Sequence, residues 1–337
     1  MPAANKPVDR SIAMWGPPSS GKTTFLAALS IALQRRKYGL RLRGADEASE
    51  LALINMMKEL TRHQEFPDAT EGIETYNWVL EGSFSAKRTP MFRRAGSADQ
   101  VSVGLNLVDA TGELTDPERV GFSERQELIE GIARSSGIVY IFDPIREFDK
   151  GDAFDHTYGM LIQLARYQAA QPGWMGARLP HYVAVCVTKF DEVPVYEAAR
   201  RLNMIVPDPD DQYSFPRVRD DEARELFLRL CEASGSGNAD MVINSLEQYF
   251  LPDRIKYFVT SAVGFYLDPR KRFFDEDDWQ NVLPVERSVN SASKPHKKGK
   301  PVKIRGGIYP INIVEPISWL CQSIAHEPDR VRNVTRQ

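Results

Sequence analysis

The stretch Gly16-Pro17-Pro18-Ser19-Ser20-Gly21-Lys22-Thr23 fits the spacing G-x-x-x-x-G-K-[ST], a loop that holds phosphate. It constrains the fold because it works only between a strand and a helix. The run before it, 11–15, predicts a short buried strand, and the run after it, 22–36, predicts a helix. Backbone N–H groups of such a loop surround a polyphosphate, and the positive end of the following helix adds to the attraction. Gly16 and Gly21 permit backbone angles and a close approach that a side chain would block. Lys22 is expected to reach the β- and γ-phosphates and the Thr23 hydroxyl to hold Mg2+, with Ser19, Ser20 and Thr24 completing the cradle.

The remaining chain alternates strand and helix patterns. Strands are expected at 75–81, 101–108, 137–143, 181–187 and 255–260, and helices at 46–63, 123–135, 153–171 and 312–325. Asp46 is the expected cap of the second helix. The pattern predicts a three-layer α/β/α fold around a mainly parallel six-stranded sheet. Ligands of such sheets bind at the carboxyl ends of the strands. The organisation expected is a leader at 1–10, a single domain at 11–326 and a tail at 327–337. Within the domain, a helical insertion is expected at about 192–254 and a mobile insertion at about 268–307, where an acidic patch precedes a lysine-rich run.

With 42% hydrophobic and 26% charged residues, a chain of 337 can bury a sizeable core. A net charge of -3 gives no strong nucleic-acid signal. Cys186, Cys231 and Cys321 are widely separated, which predicts buried free thiols and no zinc site. The first residues lack the apolar core of a signal peptide, and no apolar run approaches the ~20 residues of a membrane span, so a cytoplasmic protein is expected.

Several strand ends carry polar residues suited to one ligand. Asp109-Ala110-Thr111-Gly112-Glu113 follows the strand at 101–108, Thr188-Lys189-Phe190-Asp191 follows that at 181–187, and Ser261-Ala262 follows that at 255–260. With Gly16–Thr23 and Thr70, this ordered set resembles the G domain of Ras-like (TRAFAC) P-loop GTPases over nearly the whole chain. The resemblance implies GTP and GDP as ligands, with Mg2+. Asp191 would accept hydrogen bonds from the N1–H and exocyclic amine of guanine, the stem of Lys189 would pack on the base, and the Ala262 N–H would contact the base oxygen. Thr188 stands where Asn is commoner in that family. Thr23 would ligate Mg2+ directly, Asp109 through water, and Thr70 in the triphosphate state, with Thr75 its rival. Gly112 would sense the γ-phosphate. Glu113 replaces the glutamine that often orients the attacking water, so intrinsic hydrolysis is expected to be slow without a partner or a nearby arginine. Switch loops are expected at about 64–74 and 110–122.

A finer but less specific resemblance is to the bacterial double-GTPase type linked to conflict and defence systems. It rests on the wording of the phosphate loop, on Asp109-x-x-Gly112-Glu113, and mainly on Asn312-Ile313-Val314-Glu315-Pro316-Ile317-Ser318-Trp319-Leu320. It implies a protein effector or a second GTPase as partner, and it allows a nucleotide-dependent dimer. Two other readings stay open on the residues: a P-loop ATPase, and an interaction module that holds GTP without hydrolysing it.

Overall fold

The structure, a computed structural model, describes residues 11–17, 19–35, 39–67, 74–83, 100–109, 122–172, 174, 176–284 and 302–325. The two most apolar runs lie at its centre. Gly137–Phe142 and Tyr182–Val187 carry almost no polar side chain, so as strands they must be covered on both faces. They are β5 and β6 of a sheet that also contains β1 (Ser11–Trp15), β2 (Leu40–Gly44), β3 (Glu74–Ser83), β4 (Gln100–Asp109) and β9 (Ile255–Val259). Two small hairpins pair β7 (Ile205–Pro207) with β8 (Pro216–Val218), and β10 (Val282–Pro284) with β11 (Val302–Ile304). The main sheet runs β2-β3-β4-β1-β5-β6-β9. From β4 to β9 neighbouring strands are parallel, while β3 is antiparallel to both its neighbours.

This is the mainly parallel α/β sheet expected, with seven strands instead of six. The additional strand is β2, at the edge. Its sequence Leu-Arg-Leu-Arg-Gly buries Leu40 and leaves Arg41 and Arg43 in solvent. Five alternating residues directly between two helical patterns form a weak signal, and pairing with β3 is what defines the strand.

Alternation along the central strands builds the layers. Ile138, Tyr140, Phe142, Val183, Val185 and Val187 face one core. There α3 (Phe122–Arg134), α4 (Pro144–Lys150) and α5 (Ala153–Ala169) precede β6 in the chain, and α6 (Val193–Arg201), α7 (Ala223–Ala233) and α8 (Asp240–Tyr249) follow it. Leu226 and Phe227 of α7 and Val242 and Leu246 of α8 pack directly into this core. Val139, Ile141, Ala184 and Cys186 face the other core, against α1 (Lys22–Arg35) and α9 (Val314–Ala325). α1 is buried around most of its circumference, which its run of Leu, Ala and Ile requires. Its outer side meets a third cluster of Leu60, Val263, Ile304 and Ile308.

α2 (Glu47–Lys58) is capped by Asp46, whose carboxylate accepts from the Ser49 N–H at 2.8 Å. A π-helical turn, Glu59–His63, continues it to a left-handed Gln64. Of the segment 268–307, residues 268–284 and 302–307 are described, and they carry the β10–β11 hairpin. Residues 1–10 and 327–337 lie outside the described residues. Cys186, Cys231 and Cys321 are free and buried. Among the described residues no helix is long and apolar enough to cross a membrane.

Candidate nucleotide-binding site

Because β1, β5, β6 and β9 are parallel neighbours, the segments following them line one edge of the sheet. β1 lies between β4 and β5: the chain first builds the β2-β3-β4 side of the sheet and only then crosses to β5, so the end of β1 is where the strand order reverses, the crevice where open α/β sheets bind ligands.

The loop after β1 has the geometry of a cradle. A Cβ on Gly16 would stand 2.5 Å from the Ile141 carbonyl oxygen, so only glycine fits there. Gly21 has φ +93° and Ser19 φ 57°, which turns successive backbone groups toward the loop interior. The Phe25 N–H donates to Gly21 O at 2.8 Å, so the first turn of α1 starts at Lys22, with no acidic residue to compete with an anion. Lys22 is buried, and its ammonium donates to the carbonyls of Gly16 (3.2 Å) and Pro17 (3.0 Å). The Ser20 hydroxyl is buried and has no hydrogen-bond partner among the described residues. A buried cation beside an unpartnered hydroxyl at a helix N-terminus fits a polyphosphate. Thr23 and Thr24 occupy the same first turn, half-buried.

The segment after β6 is pinned from both sides. The Thr188 N–H and hydroxyl both donate to Phe142 O at 2.9 Å, and the Phe190 N–H donates to Thr260 O at 3.1 Å. Lys189 sits at φ 60°, and its ammonium pairs with Asp143 at 2.7 Å. Asp191 is 6% exposed and accepts a hydrogen bond from the Ser261 hydroxyl, which itself accepts from the Gly264 N–H. Burial pushes the Asp191 carboxyl up to about 7, against the opposing pull of the Ser261 hydrogen bond and the Lys189 charge. Such a carboxyl gains from any ligand that offers it N–H donors.

The Ser261-Ala262 turn is held from behind. Ser261 and Ile311 exchange backbone hydrogen bonds at 3.0 and 2.8 Å, and the Tyr309 N–H donates to Val263 O at 2.9 Å. Asn281, fully buried, donates to the carbonyls of Val263 and Gly307 and accepts from the Gly306 N–H. Asn312 donates to Val259 O at 3.0 Å from a left-handed backbone.

The structure therefore brings Gly16, Ser19, Ser20, Gly21, Lys22, Thr23, Thr24, Thr188, Lys189, Asp191, Ser261 and Ala262 to one edge. The backbone of Asp109 closes β4 beside β1; its side chain lies outside what is described, as do Thr70, Gly112 and Glu113. Residues 68–73 and 110–121, most of the two expected switch loops, also lie outside the described residues. Among the described residues no three His, Cys, Asp or Glu side chains could hold a metal together. Mg2+ at a phosphate site takes most of its ligands from phosphate and water, so Thr23 with one carboxylate fits that donor set.

Two residues escaped the sequence reading. Asp143 looked like the tip of a strand, although an acidic residue followed by Pro144 is a helix-start signal. Asn281 has no such signal.

No family model matches the chain, and no curated protein matches it. Among solved structures it is similar to the GTP-bound GTPase-like domain of S. cerevisiae Ski7, at 11% identity over 96% of this chain and 51% of that one, TM-score 0.36. It is also similar to the signal recognition particle receptor SRb-GTP/SRX complex from Chaetomium thermophilum, at 10% identity over 77% and 93%, TM-score 0.35. A third likeness is to sup35 complexed with GDP, at 13% identity over 75% and 37%, TM-score 0.28. The chain thus spans about a third to a half of two of these three. Fold and site together define a three-layer α/β protein whose β1–α1 loop has the spacing and shape of a phosphate cradle.

Proposed function

We propose that this chain binds GTP and GDP at the carboxyl edge of its sheet, hydrolyses GTP with Mg2+, and works as a nucleotide-dependent switch. The observation that carries the reading is the pair of sites flanking β5: a phosphate cradle after β1, and the buried Asp191 carboxyl backed by Ser261 after β6. Guanine offers two adjacent N–H donors to a carboxylate, and adenine lacks that pair. Ser20 and the α1 N-terminus would hold the phosphates. Lys22 would leave the Gly16 and Pro17 carbonyls for the more strongly attracting β- and γ-phosphates.

Phosphoryl transfer to water is mostly positioning and charge stabilisation. Lys22 supplies fixed positive charge at the γ-phosphate. Mg2+, when bound, neutralises charge on the phosphates, and Thr23, Asp109 and Thr70 are the residues that would hold it. The Gly112 N–H would register the γ-phosphate. Glu113 would repel it unless a cation intervenes, so turnover is slow until a partner contributes. The resemblance carried by Asn312–Leu320 makes a protein effector or a second GTPase that partner, in a bacterial conflict or signalling setting in the cytoplasm.

The test is nucleotide binding and phosphate release with Mg2+, comparing GTP with ATP. Binding selective for GTP, lost in Lys22→Ala and shifted toward xanthine nucleotides in Asp191→Asn, is expected. Equal or preferential ATP binding would overturn the guanine reading; tight GTP retention without phosphate release would leave a binding module in place of an enzyme.

A further inference from the structure

Asp143 makes three bonds with two oxygens. Its Oδ1 accepts from the backbone N–H groups of Ile145 (3.0 Å) and Arg146 (3.1 Å), capping α4. Its Oδ2 accepts from Lys189 Nζ at 2.7 Å. The carboxylate is 1% exposed, whereas the lysine side chain is 36% exposed. The charged tip of Lys189 is thus tethered at the end of β5, while its side chain as a whole stays about one-third exposed.

Lys189 has other carboxylates near it. Asp191 and Glu192 follow within three residues, and the Lys189 charge acts on both. A loose ammonium would be drawn to Asp191, the group expected to read the base, and would occupy the oxygen that guanine needs. The backbone does not prevent this, because Glu192 N–H to Lys189 O at 2.9 Å closes a tight turn that keeps the three side chains close.

We propose that Asp143 is a specificity-determining positioning residue: it holds the Lys189 ammonium away from Asp191, and so presents the lysine stem as a platform for the base while leaving Asp191 open to its N–H groups. This rests on the guanine reading above.

The experiment measures GDP and inosine diphosphate affinity for the full chain, D143N, K189M and the double variant, with thermal unfolding as a control. Asparagine caps a helix as well as aspartate, so D143N should unfold near the wild-type temperature. It should bind GDP about tenfold more weakly, the worth of one misplaced charge-assisted contact. It should also discriminate less between GDP and inosine diphosphate, which lacks the exocyclic amine; loss of a helix cap alone would not move that ratio. In the K189M background D143N should cost nothing further. If D143N folds poorly, D143S retains a capping oxygen and should show the same loss of discrimination. Wild-type GDP binding with unchanged affinity and discrimination in both Asp143 variants would overturn the proposal alone, as would equal D143N effects with and without Lys189. Failure of the wild type to bind GDP would overturn the guanine reading and this proposal with it.

Discussion

Replacing Asp191 by asparagine should stabilise the nucleotide-free protein while removing its affinity for guanine nucleotides. The carboxyl is buried and its folded-state pKa is raised to about 7 from 3.8. A raised carboxyl pKa means the folded chain holds a proton that the unfolded chain has released. The group's contribution to stability is therefore complete below 3.8 and is lost as pH rises through about 7. From those two values the penalty is about 2 kcal/mol at pH 5 and about 4 kcal/mol at pH 8. The substituted asparagine has no charge to desolvate, and its amide oxygen can still accept from the Ser261 hydroxyl. Urea denaturation at both pH values is the assay. The variant should be the more stable one, with an advantage about 2–3 kcal/mol larger at pH 8 than at pH 5. GDP should raise the denaturation midpoint of the wild type and leave that of the variant unchanged. A variant less stable than wild type at pH 8, or an advantage that does not grow with pH, would refute the reasoning.

His181 predicts the opposite acid behaviour: burial lowers its pKa to about 4 from 6.5, and its Nδ1 has no hydrogen-bond partner among the described residues. The stability held by its neutral form is present above 6.5 and lost as pH falls toward 4, about 3 kcal/mol in all; His181→Gln should remove that part of the acid limb in urea titrations. Asn281→Ala removes the side-chain partner of the Gly307 carbonyl and the Gly306 N–H and leaves the Val263 carbonyl only the Tyr309 N–H, and should cost about 2–4 kcal/mol by chemical denaturation. Because Val263 adjoins the Ser261-Ala262 turn, GDP affinity measured by calorimetry should fall with it.

The features legible in the sequence were those encoded locally. The apolar runs of β5 and β6 specify central strands because nothing else can shield them. Gly16 and Gly21 are legible because a backbone angle or an approach distance demands them at fixed spacing from Lys22. The capping of α2 by Asp46 is a relation over three residues. β2 was not legible, since its five residues become a strand only by pairing with β3, which lies beyond a whole helix.

The same distinction separates the ligand-facing groups from those that hold them. Lys22, Asp191 and Ser261 belong to short motifs, and their chemistry can be read wherever the motif stands. Asp143 and Asn281 act through partners far along the chain: Lys189 for one, and Val263 with Gly306 and Gly307 for the other. No spacing rule links those residues, because the link is made by strand adjacency and by the return of the chain through β11. Asp143 stands opposite Lys189 only because β5 and β6 are parallel neighbours that end level, Phe142 beside Val187. A one-residue slip in that register would turn the Lys189 tether, and with it the open face of Asp191, to the other side of the sheet. Any discrimination the site exerts between bases thus depends on strand register as much as on the motif residues.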